Sequence, residues 1–222
     1  MNEITFVVAT SGKLETTLFH KWWKKNVCDG VTLKVFENNV KGLSTVYNEA
    51  LAEAKCKYMV FIHDDVYIDS DDWQSRIAKF LDQYDVIGIA GGSNIDINQK
   101  LLWHLMTDRD SQSGVVTTPL DFHGKPGEYF TNCFGTFPQD VHVLDGVFLA
   151  VNVESIKVNG IQFFEEFDFH HYDLSFTYEC HLKGLKVSTF PLHLIHESPG
   201  LTSEVGYSAS EEKFRTWLKK RI

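Results

Sequence analysis

Residues Lys57–Asp69, KYMVFIHDDVYID, govern how the rest of the chain is read. The apolar run Tyr58–Ile62 ends abruptly in His63-Asp64-Asp65. A run without polar alternation is the pattern of a strand buried on both faces, as inside a parallel sheet. The three polar residues then fall just past the strand's carboxyl end, the edge at which open α/β sheets bind their ligands. Carboxylates delivered there can hold a divalent cation against a phosphate-bearing ligand. A loop with two solvated Asp residues, or a helix cap, would read the same, so the flanking sequence must tip the balance.

On the N-terminal side, Ile4–Ala9 and Val31–Phe36 are further apolar, β-branched strands. Leu14, Leu18 and Trp22, spaced i, i+4, i+8, suit a helix between them. Ser44 is placed to cap a helix whose Tyr47, Ala50, Leu51 and Ala54 form an apolar stripe. On the C-terminal side, Asp71 and Asp72 precede a helical face of Trp73, Ile77, Phe80 and Leu81, and Val86–Ala90 is a fourth strand. This β-α-β-α-β-α-β order predicts an α/β fold with a mostly parallel central sheet flanked by helices. The rhythm then breaks. Residues 93–140 carry few clear periods and are expected to be an irregular, mobile insertion. Val141–Val151 reads as a strand pair or one bent strand around Asp145-Gly146. Tyr172–Lys183 is a helix with Leu174, Tyr178 and Leu182 on one face and Gly184 past its end. Lys186–Phe190 is another strand. Ser208 and Glu211 have the spacing of a capping box for a C-terminal helix over about 209–221. Nothing marks a domain boundary, so residues 1–222 are expected to form one domain.

Composition narrows the functional classes. A net charge of −9 argues against nucleic acid, whose phosphates demand a basic face. An anionic ligand would therefore need a local cation. Cys28, Cys56, Cys133 and Cys180 are widely spaced, with no CxxC, which suits reduced thiols and a cytoplasmic location. The N-terminus lacks the basic start and long apolar core of a signal peptide, and no segment reaches the length of a membrane span. The C-terminal helix, with Phe214, Trp217 and Leu218 beside Lys219, Lys220 and Arg221, leaves open a peripheral membrane contact. Apolar burial of that face, with the cations favouring the helix dipole, is the simpler reading.

Three clusters combine His with carboxylates: His63-Asp64-Asp65, His170-His171-Tyr172-Asp173, and His193 with His196-Glu197. Each falls at an element boundary, where loops converge on a site. Imidazole with carboxylate suits Mn²⁺, and carboxylate alone suits Mg²⁺. Zinc hydrolases use similar clusters, so a metal site does not by itself name a reaction.

Taken in order, the strand ITFVVAT, then Phe36–Asn39, Gly42–Asn48, FIHDDVYI, Val143–Ala150, Phe169–Val187 and His196-Glu197-Ser198 resemble a family 2-type glycosyltransferase with a GT-A fold. The resemblance runs over nearly the whole chain. It implies transfer of a sugar from a nucleotide-diphosphate donor, with a UDP-sugar the expected one, to a glycan, lipid-linked or protein acceptor. It implies that Thr10, Glu37 and Asn38 line the base and ribose, and that Asp65 holds Mn²⁺ or Mg²⁺ in the last position of the family's DxD motif. His63 stands where the first Asp of that motif usually does, in ribose or metal contact. Asp64 lies beside the ribose or donor sugar, Asp145 and Gly146 lie on the acceptor-side strand near the donor, and His196 matches a late metal ligand. Asp173 matches the acid that serves as general base in inverting members. Ser175 replaces a frequent second acid, and Glu179 lies where Arg is common. A single base suits one inverting displacement, whereas a glycoside hydrolase needs two carboxylates flanking the bond. Asp65 and Asp173 could imitate that pair. A non-catalytic nucleotide-sugar or glycan-binding domain and, further off, a metal-dependent hydrolase therefore stay open as alternatives.

Overall fold

The computed structural model describes residues 3–120, 125–198 and 206–222. β1 (Ile4–Ala9) leads into a 3₁₀ turn, Leu14–Thr16, and then α1 (Leu18–Asn26). The expected Leu14/Leu18/Trp22 stripe is broken because Thr17 is extended and caps α1, its hydroxyl accepting from the His20 N–H at 3.1 Å. The buried residues of α1 are Phe19 and Trp22, packed with Phe6 and Trp73. β2 (Val31–Phe36) precedes α2 (Leu43–Glu53). Ser44 does not cap α2. It lies inside the first turn, fully buried, and donates to the Phe167 carbonyl at 2.7 Å. Every residue of β3 (Tyr58–Ile62) is buried, as its composition predicts.

Three residues later comes β4 (Val66–Ile68), followed by α3 (Trp73–Leu81). The single strand expected at Val86–Ala90 is two, β5 (Val86–Gly88) and β6 (Ala90–Gly92), separated at Ile89. Residues 93–140 are not irregular throughout. They hold α4 (Trp103–Met106), a 3₁₀ turn at Arg109–Ser111, and the antiparallel pair β7 (Gln112–Pro119) and β8 (Tyr129–Phe134). Gly114 in β7 has φ +125°, and a Cβ there would lie 2.1 Å from the Ile89 carbonyl, so only glycine lets β7 cross β6 this closely. Val141–Val151 resolves as two strands that do not pair with each other, β9 (Val143–Leu144) and β10 (Phe148–Asn152), each in a different sheet. The short α5 (Val153–Val158) starts where the Asn152 side chain accepts from the Glu154 and Ser155 N–H groups. α6 (Tyr172–Leu182), β11 (Val187–Thr189), β12 (Leu194–His196) and α7 (Tyr207–Lys219) complete the chain.

The central sheet has the order β11-β5-β10-β3-β1-β2, and only β10 runs against its neighbours. A second sheet, β4-β12-β7-β6-β9 with β8 on β7, is mostly antiparallel. One continuous apolar cluster runs through both. α6 is buried on nearly every side except at Leu182, which is exposed rather than part of the apolar face. α7 starts at Gly206 with no side-chain cap, so Ser208 and Glu211 form no capping box. Glu211 instead accepts from the Leu101 N–H at 2.8 Å. Phe214, Trp217 and Leu218 are buried against the protein, and Arg221 stacks 3.8 Å over Trp217, so this apolar face is not available to a membrane. Among the described residues, no helix is long and apolar enough to cross a membrane.

Candidate active site

The carboxylates and imidazoles of one cleft come from four chain segments: the turn between β3 and β4, the turn between β9 and β10, the start of α6 with the turn before it, and the end of β12. Backbone pairing brings the outer two together. His196 pairs with Val66 in the β12–β4 ladder, and the Glu197 N–H donates to the Asp65 carbonyl at 2.9 Å. Residues 131 positions apart thus face the same space, with Asp65 Oδ1 3.3 Å from His196 Nε2 and 3.9 Å from His63 Nδ1.

His63, Asp65 and His196 can each offer one ligand atom within 4.8 Å of the others. Asp65 Oδ1 and His196 Nε2 are buried, and neither has a hydrogen-bond partner of acceptable geometry. Orphaned buried polar atoms demand a cause. Two ligands bound at about 2.1 Å and at right angles on one cation would lie about 3 Å apart, close to the separation here. Burial, with His196 adding to it, pushes the His63 imidazole below its ordinary pKa, so it is neutral with a lone pair to give. Burial raises the Asp65 carboxyl, but His196, 3.3 Å away, outweighs it and holds it below the usual carboxylate range. A neutral imidazole and an ionised carboxylate are the ligating forms. The residues present therefore fit a divalent cation.

Asp173 enters from the first turn of α6, and its Oδ2 accepts the Gly146 N–H at 2.7 Å. A helix N-terminus alone predicts an ionised Asp173 at neutral pH. The structure corrects this. Burial, then the charge of Asp145, push the carboxyl up to about 7 against the hydrogen bonds from Leu174 and Gly146. Asp145 is occupied on both oxygens, by the Trp103 indole N–H at 2.7 Å and the Val147 N–H at 3.0 Å. Gly146 is required by close approach, since a Cβ there would sit 2.3 Å from the Tyr172 hydroxyl and 2.9 Å from Asp173 Cβ. The turn before α6 is strained. His171 has φ 63°, and it is held by Ser210 at 2.8 Å and by the Phe214 ring at 5.1 Å, both on α7. Burial beside His170 pushes the His171 imidazole down to about 4. α7 thus braces the turn that aims Tyr172 and Asp173.

Thr10 and Asp64 line an adjoining cavity with Asn39, a residue the sequence reading passed over. Glu37 and Asn38 have local partners instead. Glu37 accepts from the Leu14 N–H at 2.8 Å and from Lys13, and the Asn38 N–H donates to the Gly12 carbonyl. His193 is also outside the cleft, between Asp69 at 3.2 Å and Thr117 at 2.8 Å. Ser175 is buried and bonds back to the Tyr172 carbonyl, and Glu179 pairs with Arg221 at 3.3 Å. Trp103 is the site residue that sequence reasoning missed, because it lies in a stretch without periodicity, and Tyr172 was named in its cluster without a role of its own.

The Glycosyltransferase like family matches residues 23–211. No curated protein matches the chain by sequence. Among solved structures, the fold is similar to GalNAc-T7 with UDP, GalNAc and Mn²⁺ (TM-score 0.57, 11% identity, 96% of this chain and 48% of that one). It is also similar to the mannosyltransferase PcManGT from Pyrobaculum calidifontis in complex with GDP-Man and Mn²⁺ (TM-score 0.54, 14% identity, 96% and 60%). A third is S. aureus TarS 1-349 in complex with UDP-GlcNAc (TM-score 0.51, 15% identity, 91% and 61%). This chain spans about half to three fifths of their lengths, and at these identities the likeness is one of fold. With the family match covering most of the chain, the protein belongs to the Glycosyltransferase like family, and its fold is of the GT-A type.

Proposed function

We propose that the chain transfers a hexosyl group from a nucleotide-diphosphate sugar to an acceptor hydroxyl, with a divalent cation and with inversion at the anomeric carbon. The observation that carries this reading is the buried pair Asp65 Oδ1 and His196 Nε2, 3.3 Å apart and with no other hydrogen-bond partner, beside His63 in the same cleft as Asp173. His63, Asp65 and His196 would hold the cation. Bound there, it would supply a Lewis acid that neutralises the departing diphosphate. Two imidazoles with one carboxylate favour Mn²⁺ over Mg²⁺. Thr10 and Asp64 bind the nucleoside end of the donor, with Asp145 and Gly146 beside the sugar.

Asp173 takes the acceptor proton as the new C–O bond forms. A carboxyl raised to about 7 is matched to that task, being half ionised at neutral pH and basic enough to hold the proton it receives. Asp145 is a poor second catalytic carboxylate, because both of its oxygens are engaged, and a single base suits a single inverting displacement. UDP is the expected nucleotide. The acceptor is a glycan, a lipid-linked saccharide or a protein hydroxyl, and the four free thiols support a cytoplasmic setting. Calorimetry with UDP and GDP, in Mn²⁺, Mg²⁺ and EDTA, tests the donor side. Equal affinity in EDTA and Mn²⁺ removes the cation from the mechanism. Donor binding without turnover on any offered acceptor would favour the binding-domain alternative.

A further inference from the structure

The Tyr172 hydroxyl sits between two groups that the mechanism above leaves unconnected. It lies 3.1 Å from the Gly146 carbonyl and 2.9 Å from His63 Nε2. A carbonyl can only accept, so the one phenolic proton goes to Gly146. The bond to His63 must then run the other way, with Nε2–H donating to the phenolic oxygen. This fixes the neutral imidazole as the Nε2–H tautomer and leaves the lone pair on Nδ1, the nitrogen that faces Asp65 at 3.9 Å. In the other tautomer Nδ1 would carry a proton toward Asp65, and His63 could not ligate from that nitrogen.

We propose that Tyr172 is a positioning residue for the cation, selecting the tautomer and ring orientation of His63 that present the Nδ1 lone pair to the site. The inference rests on the metal reading above and deepens it. Its geometry is rigid. Tyr172 is buried, with its ring packed against Tyr47 and Phe163. The His63 N–H donates to the Val147 carbonyl at 3.2 Å, so both ends of the contact are anchored. Gly146 contributes twice, through the carbonyl that takes the Tyr172 proton and through the N–H held by Asp173. The ligand His63 and the base Asp173 are therefore referenced to the same residue, Gly146, and to adjacent positions of α6. Orienting groups behind a ligating His typically matter about 10–100-fold in metal affinity.

The test is Tyr172→Phe, which keeps the ring in its packing and removes only the hydroxyl. In the metal-free protein with ¹⁵N-labelled histidine, and His63 assigned by its loss in His63→Gln, the parent should show Nε2 protonated and Nδ1 bare. The variant should move toward the Nδ1–H form. Calorimetry with Mn²⁺ alone should give affinity about 10–100-fold weaker in the variant, with an unchanged circular dichroism spectrum. Nδ1–H in the parent, or Mn²⁺ affinity within twofold in the folded variant, overturns the role of Tyr172 and leaves the metal reading standing. Should the parent itself bind no Mn²⁺, the metal reading fails, and the role proposed for Tyr172 falls with it. If Tyr172→Phe does not fold, the parent's tautomer still decides: Nε2–H supports the proposal and Nδ1–H overturns it.

Discussion

Replacing Asp173 by Asn separates two consequences of burying one carboxyl. Asn keeps the shape and an oxygen for the Gly146 N–H, 2.7 Å away in the parent, but it cannot exchange a proton. In the metal-free protein, burial and the charge of Asp145 raise Asp173 from its ordinary 3.8 to about 7. For an acid raised in this way, the folded state binds the proton more tightly than the unfolded state. That preference favours folding fully below the unfolded value and is lost as pH climbs through the folded one. Linkage between these two values removes about 2–3 kcal/mol of stability from the parent between pH 5 and pH 8, and none from the variant. The stability gap between them should therefore shift by that amount toward Asp173→Asn, as read by urea unfolding in EDTA at the two pH values. Turnover should move oppositely. The variant should lose about 10²–10⁴-fold, while the parent's kcat/KM climbs about tenfold per unit at acid pH and levels off near 7. A gap that is the same at pH 5 and pH 8 would show that the carboxyl titrates normally and refute the burial argument. A variant within a few-fold of parental turnover would move the base elsewhere, with His170 and Asp145 next in line.

Asp65→Ala should abolish Mn²⁺-supported nucleotide binding in calorimetry while thermal unfolding stays cooperative, and parental affinity in the variant would exclude Asp65 as a ligand. Gly146→Ala forces a Cβ to 2.3 Å from the Tyr172 hydroxyl and should cost about 1–3 kcal/mol in urea unfolding. An unchanged midpoint would mean that the turn relaxes freely. Hydrogen exchange over residues 93–119 should slow when donor and Mn²⁺ are added, because Trp103 is bonded to Asp145 at the cleft. Protection confined to other segments would exclude closure by this stretch.

The middle of the central sheet was legible because β1 and β3 are long and mostly apolar. Ile4–Ala9 and Tyr58–Ile62 need no tertiary information to be read as buried strands, whereas Val31–Phe36, with Lys34 in it, lies at the sheet's edge and is buried only at Val31. The second sheet was hidden for the opposite reason. β4, β6, β9 and β12 have two or three residues each, too few for any period to emerge. Caps failed where tertiary partners outbid local ones: Ser44 went to Phe167, and Glu211 went to Leu101. In the site, the charged residues could be picked out by type, and His63, Asp65, His196, Asp145 and Asp173 do meet in one cleft. Their protonation states could not, since the pKa of Asp173 depends on Asp145, 28 positions earlier, and on burial that sequence does not display.

The short strands also explain why the chemistry gathers where it does. β3/β4, β5/β6, β9/β10 and β11/β12 are sequential pairs, and in each pair the chain leaves one sheet and joins the other. At a crossing, a few residues belong to neither ladder and their side chains are free to face the space between the sheets. His63-Asp64-Asp65 is one such crossing and Asp145-Gly146-Val147 is another, while His196 ends the strand that follows a third. The metal-capable cluster then depends on register. His196 pairs with Val66 and Ile195 with Tyr67, so sliding β12 by one residue along β4 would turn His196 to the opposite face and bring Ile195 to the cleft. Leu194 and Leu192, both fully buried, resist that slip, because it would carry their side chains out of the core. The apolar residues flanking His196 therefore hold its imidazole opposite Asp65, and the ligand set is as secure as the packing of a three-residue strand.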